Sequence, residues 1–220
     1  MTVQPRRTDG RLPRFQRQPA EEGIETMRMG HIARKTKETD IDLELTIDGQ
    51  GLTALETGIP FLDHMLTLFA VHGFFDLKVK ALGDLEVDAH HTVEDIGICL
   101  GKALTEALGD RTGIHRYGHA VVPMDEACAT VVLDLSNRPY LIYQVPPLTP
   151  GIGYFETELV PEFFRAFSQH GGVTLHLQAH YGSNTHHILE AVFKAWGRAL
   201  DQATSLDSRR TTVPSSKGLI

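Results

Sequence analysis

His90-His91-Thr92-Val93-Glu94 and His186-His187-Ile188-Leu189-Glu190 are two copies of one pattern, HHxxE, and a matching tetrapeptide follows each: Gly101-Lys102-Ala103-Leu104 and Gly197-Arg198-Ala199-Leu200. Both pairs lie 96 positions apart, so the motif belongs to an internal repeat. On a helix a His at i and a Glu at i+4 stand one above the other, whereas the His at i+1 is turned by about 100°. One copy can therefore grip one metal ion with its first His and its Glu and offer its second His to another. Together the copies supply four imidazoles and two carboxylates, a mixed N/O set suited to a pair of divalent ions such as Mn²⁺, Fe²⁺ or Zn²⁺. A lone HHxxE is more often a helix start with surface histidines and an acidic first turn; the duplicate raises the metal reading above that one.

Two helices must present these motifs, and the chain ahead of each repeats one order of elements. From His31 the pattern alternates, Ile32 to Lys37 and then Ile41 to Ile47 ending at Asp48-Gly49, which predicts a strand hairpin. Gly58-Ile59-Pro60 stops the extended run, and Pro60 near the first turn starts a helix that ends at His72-Gly73. A strand from Phe74 to Ala81 and a short one near Leu85 to Val87 lead into the first motif helix. In the second half, Ile114 to Val122 and Ala127 to Leu135 read as strands, and Pro161 to Phe167 reads as a helix closing at His170-Gly171-Gly172. A strand from Val173 to Ala179 then precedes the second motif helix. The overlay sets Glu38 on Glu126, and His64 on Glu162 to within two residues. The fold class is therefore α+β, in two tandem pseudo-repeated halves, each a small mixed sheet backed by two helices and buried on its twin. The boundaries read as a basic tail over 1–28, halves at 29–112 and 113–206, and a C-terminal segment at 207–220.

The overlay makes His64 and Glu162 the equivalently placed ligand candidates from the preceding helices. One ion is expected on His90, Glu94, His187 and Glu162, the other on His186, Glu190, His91 and His64. Four ligands leave an octahedral ion two open positions, where a substrate would bind. His176, on a strand flanked by apolar residues, competes for a ligand role and reads better as structural.

With 220 residues and 41% apolar side chains the chain can bury a full core. No apolar run approaches a membrane span and no basic-then-apolar leader is present, so a soluble protein is expected. A formal net charge of -7 argues against nucleic acid held by phosphate neutralisation. Only two cysteines, Cys99 and Cys128, occur, which fits a reducing cytoplasm. Arg6, Arg7, Arg11, Arg14 and Arg17 are set among Pro, Gln and Gly without apolar periodicity, as in a disordered extension; a targeting leader or a cloning remnant would share that composition.

Six motifs in order then carry a resemblance. Phe61-Leu62-Asp63-His64-Met65, Ala89-His90-His91-Thr92-Val93-Glu94-Asp95, Met124-Asp125-Glu126-Ala127, Ser136-Asn137-Arg138-Pro139-Tyr140, Thr185-His186-His187-Ile188-Leu189-Glu190 and Pro214-Ser215-Ser216-Lys217-Gly218 resemble the imidazoleglycerol-phosphate dehydratases of histidine biosynthesis, from about His31 to Lys217. The resemblance implies two halves of the ribosomal protein S5 domain 2-like fold, two Mn²⁺ ions per active site, and a large cubic homo-oligomer of roughly two dozen subunits with sites shared between subunits. It also implies Glu38 as the acid/base at the substrate, and a phosphate clamp of Arg116, Arg138 and Lys217 with hydroxyls from Ser215 and Ser216. Lys194, two turns along the last helix from His186-His187, is near enough to join them. His64 and His72 are further implied substrate contacts. Glu126, the repeat mate of Glu38, reads as a structural or metal-supporting acid. Three positions depart from the family pattern: many relatives carry His at the position of Glu162, Gln at that of Leu68 and Asp at that of His119.

The implied reaction removes water from an imidazolyl diol phosphate. The proton to be lost sits on a carbon with no carbonyl beside it, so direct abstraction is slow. An imidazolate between two cations can instead expel the adjacent hydroxyl to give a diazafulvene-like intermediate, whose neighbouring C–H a carboxylate removes. A dinuclear phosphoesterase would also use two ions and a clamp, but such sites rely on bridging Asp, and this set is imidazole-rich. A non-enzymatic metal-binding scaffold would need the ligands and no clamp.

Overall fold

The computed structural model describes residues 27–220. The basic tail expected over 1–28 therefore lies outside the described residues as far as position 26. Arg28 is already tied down, its guanidinium bridging Asp48 and the carbonyl of Thr204.

Three strands, β1 (Met29–Lys35), β2 (Thr39–Thr46) and β3 (Thr53–Glu56), precede helix α1 (Pro60–Gly73); strand β4 (Asp76–Gly83) and helix α2 (His90–Leu108) complete the first half. The second half runs β5 (Tyr117–Met124), β6 (Ala127–Asp134), β7 (Tyr140–Gln144), a small hairpin of β8 (Gly151–Ile152) and β9 (Phe155–Glu156), then α3 (Leu159–Gly171), β10 (Thr174–Tyr181) and α4 (Thr185–Thr204). The sheets have orders β1-β2-β4-β3 and β5-β6-β10-β7, in each of which the last strand pairs parallel and the others antiparallel. The two halves thus share one topology as well as one motif.

Alternation explains the sheets: Ile41, Leu43 and Leu45 of β2 and Leu77, Val79 and Ala81 of β4 are buried, while Asp42, Glu44, Lys78 and Lys80 stand on the opposite face. Their buried faces meet helices rather than each other. Helix α2 packs on β1, β2 and β4, α4 packs on β5, β6 and β10, and the cross-half pairs α1 with α4 and α2 with α3 join the two layers. One apolar cluster runs through both halves, with Trp196 of α4 near its centre, stacked on Phe69 of α1 at 3.9 Å between centroids and edge-on to Phe167 of α3 at 4.8 Å.

Close backbone approach sets where the motif helices lie. A Cβ on Gly30 of β1 would fall 2.0 Å from the carbonyl oxygen of Ala103, and one on Gly118 of β5 would fall 1.8 Å from that of Ala199. These are repeat mates meeting repeat mates, and each lets a motif helix rest directly on its sheet. Gly118→Ala is expected to force α4 off the sheet and cost about 1–3 kcal/mol. Thermal unfolding checks it: each kcal/mol is worth roughly 2–4 °C at this size.

Four expectations need correction. Leu85 to Val87 is a turn, closed by Val87 N–H donating to the Asp84 carbonyl at 2.8 Å, because three residues leaving β4 have no open sheet edge to join. Strands β3 and β7 add an edge to each sheet that the alternation did not predict. Helix α3 begins at Leu159, so Pro161 lies inside its first turn, where its missing N–H costs nothing. Ile114 forms only an isolated bridge to Leu206, and β5 starts at Tyr117.

Candidate metal centre and its surroundings

Helix α2 starts at His90 and α4 at Thr185, one residue ahead of its first histidine, and in each a short polar side chain just ahead captures first-turn amide groups. The Asp88 carboxylate accepts from His90 N–H at 2.7 Å, and the Asn184 side-chain oxygen accepts from His186 N–H at 2.9 Å. Helix α1 starts instead on Pro60, and places His64 one turn in.

Because α1 lies along α4, three predicted ligands converge. His64 Nε2 is 2.9 Å and His186 Nε2 3.0 Å from the same oxygen, Glu190 Oε1, and the donor atoms of the three residues lie within 4.8 Å of one another. The other oxygen, Oε2, accepts from Lys194 Nζ at 2.6 Å. Burial pushes the Glu190 carboxyl upward, but hydrogen bonds from Lys194, His64 and His186 outweigh it and bring the pKa to about 2. A carboxylate ionised at neutral pH beside two imidazoles is a donor set that fits a divalent transition ion. A cavity of about 610 Å³ opens beside it, reaching from His64 and His186 to Asp88 and Ala89 at the foot of the first motif helix.

The second histidine of each motif is oriented by an acid. His91 Nδ1 lies 3.0 Å from Asp84, and His187 Nδ1 lies 2.7 Å from Glu126. Hydrogen bonding to these carboxylates raises both imidazole pKa values. Fixing Nδ1 in this way leaves Nε2 for a metal, the usual carboxylate–histidine–metal relay. Glu126 also accepts the backbone N–H groups of Ser183 and Asn184, and these bonds, with that from His187 the largest, hold it at about 2. Glu126→Gln is expected to weaken metal binding about 10–100-fold with the fold intact, measurable by metal titration.

Within one chain the two four-residue sets do not close. Among the described residues neither His91 nor His187 joins a cluster of three ligands, because both rings turn off the helix face that carries His186 and Glu190 or their mates. His90 is 3.6 Å from Glu94 on its own helix, and Glu162 is ion-paired with Arg165. His176 stands on the outer face of β10, opposite Val132 and Ile142 and away from the trio.

The predicted anion-binding groups divide between two places. Arg116 is buried, bidentate to Asp134 at 2.6 and 3.0 Å, and donates to the Pro214 carbonyl at 2.8 Å. It thereby anchors the segment carrying Ser215, Ser216 and Lys217, while exposed Arg138 approaches the same Asp134 at 3.6 Å. Lys194 pairs with Glu190 beside the metal trio, and His72, at the end of α1, has its pKa lowered by burial and then by Lys194 and Arg198. Glu38 sits exposed at the β1–β2 turn, close enough to His91 to raise its pKa; among the described residues only its backbone is hydrogen-bonded.

Sequence reasoning missed Asp84, Arg165 and the two capping residues. An acid seven positions before His91 was the one signal for Asp84.

Known proteins resemble this chain over most of its length. The family model for imidazoleglycerol-phosphate dehydratase matches residues 57–200. The chain is 72% identical over 193 residues to the imidazoleglycerol-phosphate dehydratase of Syntrophobacter fumaroxidans, covering 88% of this chain and 98% of the relative. It is 59% identical to that of Acetivibrio thermocellus over 86% and 97% of the two chains. Among solved structures, the Staphylococcus aureus enzyme superposes with a TM-score of 0.74 at 40% identity, covering 81% of this chain and 99% of that one. The Pyrococcus furiosus enzyme in complex with (S)-C348 gives 0.73 at 38% identity, covering 86% and 100%.

Proposed function

This chain belongs to the imidazoleglycerol-phosphate dehydratase family, the hydro-lyases of histidine biosynthesis, and from there we propose that it dehydrates imidazole glycerol phosphate to imidazole acetol phosphate at two Mn²⁺ ions held by the duplicated HHxxE motifs. The convergence of His64, His186 and ionised Glu190 supports this reading most directly. Bound at these residues and at their mates, the ions would supply the Lewis acidity that makes the substrate's imidazole ring easy to deprotonate.

The protein's own groups do the rest. Expulsion of the hydroxyl by the ring electrons leaves an acidic C–H on the neighbouring carbon, and Glu38, exposed beside His91, takes that proton. Arg138, Lys217, Ser215 and Ser216 hold the phosphate; Arg116 keeps their segment in place through Pro214. Lys194 adds a positive charge beside Glu190, and His72, its pKa lowered by burial and by Lys194, offers a neutral imidazole nearby. Because His91 and His187 point away from their expected sets, a second copy of the chain completes each site, which makes the cubic homo-oligomer a requirement of the chemistry. No described helix is long and apolar enough to cross a membrane, and both cysteines are free thiols, which suits the cytoplasm.

Incubation with imidazole glycerol phosphate and Mn²⁺ should yield the acetol phosphate with no release of inorganic phosphate. Release of phosphate from generic phosphomonoesters at comparable rates would favour a dinuclear phosphoesterase and overturn the assignment.

A further inference from the structure

The two motif helices are repeat mates, yet the ligand sets built on them carry different charge. Helices α1 and α3 both end on a left-handed residue, Phe74 (φ 56°) and Gly172 (φ 62°), and the 98 positions between these also separate His64 from Glu162. The helix pairs match in packing as well. A Cβ on Gly197 of α4 would lie 2.4 Å from the Phe69 carbonyl oxygen of α1, and one on its mate Gly101 of α2 would lie 2.7 Å from that of Phe167 of α3. A Cβ on Gly97 would lie equally close, 2.7 Å, to the Phe163 carbonyl oxygen, which brings position 162 beside the turn of α2 that carries Glu94. Glu162 therefore stands to His90 and Glu94 as His64 stands to His186 and Glu190.

The first set has two imidazoles and one carboxylate, with Lys194 on that carboxylate. Attraction alone draws it together. The second has one imidazole and two carboxylates, which repel each other. Its members stay apart: His90 is 3.6 Å from Glu94, and Glu162 turns to Arg165. Arg165 has no counterpart in the first half, where Thr67 occupies the equivalent position.

We propose that the two metal sites of this chain are inequivalent. The site on His90, Glu94 and Glu162 carries one more carboxylate than its mate, still so once His187 is added, and favours harder ions such as Mn²⁺ and Mg²⁺, with Arg165 as a displaceable counter-ion. The site on His64, His186 and Glu190 is imidazole-rich and takes Zn²⁺ more readily. This inference rests on the two-ion reading above and concerns only how the ions differ.

The test is Mn²⁺ titration of the metal-stripped, full-length protein, followed by electron paramagnetic resonance and calorimetry, with Zn²⁺ as competitor. Two classes of Mn²⁺ site are expected, of which Zn²⁺ at low excess empties one. Glu162→His, which copies the mate, should merge the classes. Arg165→Gln, at a position 61% exposed on its side chain, should tighten Mn²⁺ binding about two- to five-fold at one class and leave the other unchanged. Two sites that titrate as one in the unaltered protein, or classes that persist in Glu162→His, would overturn the inference while leaving the two-ion reading standing. Absence of stoichiometric Mn²⁺ binding would overturn both.

Discussion

Stripping divalent ions from the protein with a chelator is expected to lower kcat by at least about a thousandfold, and adding Mn²⁺ should restore it. The magnitude follows from the role assigned to the ions: several kcal/mol of charge stabilisation at a developing imidazolate, with each 1.36 kcal/mol worth a factor of about ten. Folding should not account for the loss. The metal-facing groups satisfy one another without an ion, since Glu190 holds His64 and His186 on one oxygen and Lys194 on the other, and the core around Trp196 lies deeper in the helix layer. Circular dichroism of the stripped protein should therefore match that of the loaded one. Undiminished turnover after elemental analysis has shown the ions gone would refute the ion-dependent chemistry.

What could be read from the chain before its coordinates depended on whether the information was local. HHxxE is local: a helix places His186 over Glu190 whatever surrounds it, and the 96-residue offset exposed the duplication directly. Pro60 and the alternation of β2 and β4 were local signals too. The edge strands β3 and β7 were not, because Thr53–Glu56 and Tyr140–Gln144 are mostly exposed or half-buried and show no alternation; they exist through parallel pairing with β4 and β10. The same division runs through the site. Meeting of His64 with Glu190 depends on α1 lying along α4, which the repeat overlay implied and the glycine contacts enforce. The pairing of His91 with Asp84, where the overlay would have put Glu38, breaks the repeat, and an acid seven positions ahead of His91 is its single local trace.

That break distinguishes the two mates Glu38 and Glu126, and it sets the second large expectation. Glu126 is spent: His187 and the amides of Ser183 and Asn184 occupy it and pull its pKa down to about 2, which makes it a poor proton acceptor. Asp84 has taken over that orienting duty in the first half, which frees the Glu38 carboxylate while leaving it near His91. Only one of the mates is available to move a proton. Glu38→Gln should therefore lower kcat by about 10²–10⁴-fold, the usual span for a positioned general base, with little change in KM or in Mn²⁺ affinity. Glu126→Gln should do the reverse, weakening metal binding and restoring most of kcat once Mn²⁺ is saturating. Steady-state kinetics on both variants, at low and saturating Mn²⁺, separate the roles. If Glu38→Gln kept more than about a tenth of kcat, below the least loss expected of a general base, the proton would have to leave by another group, and the repeat asymmetry at Asp84 would have no catalytic meaning.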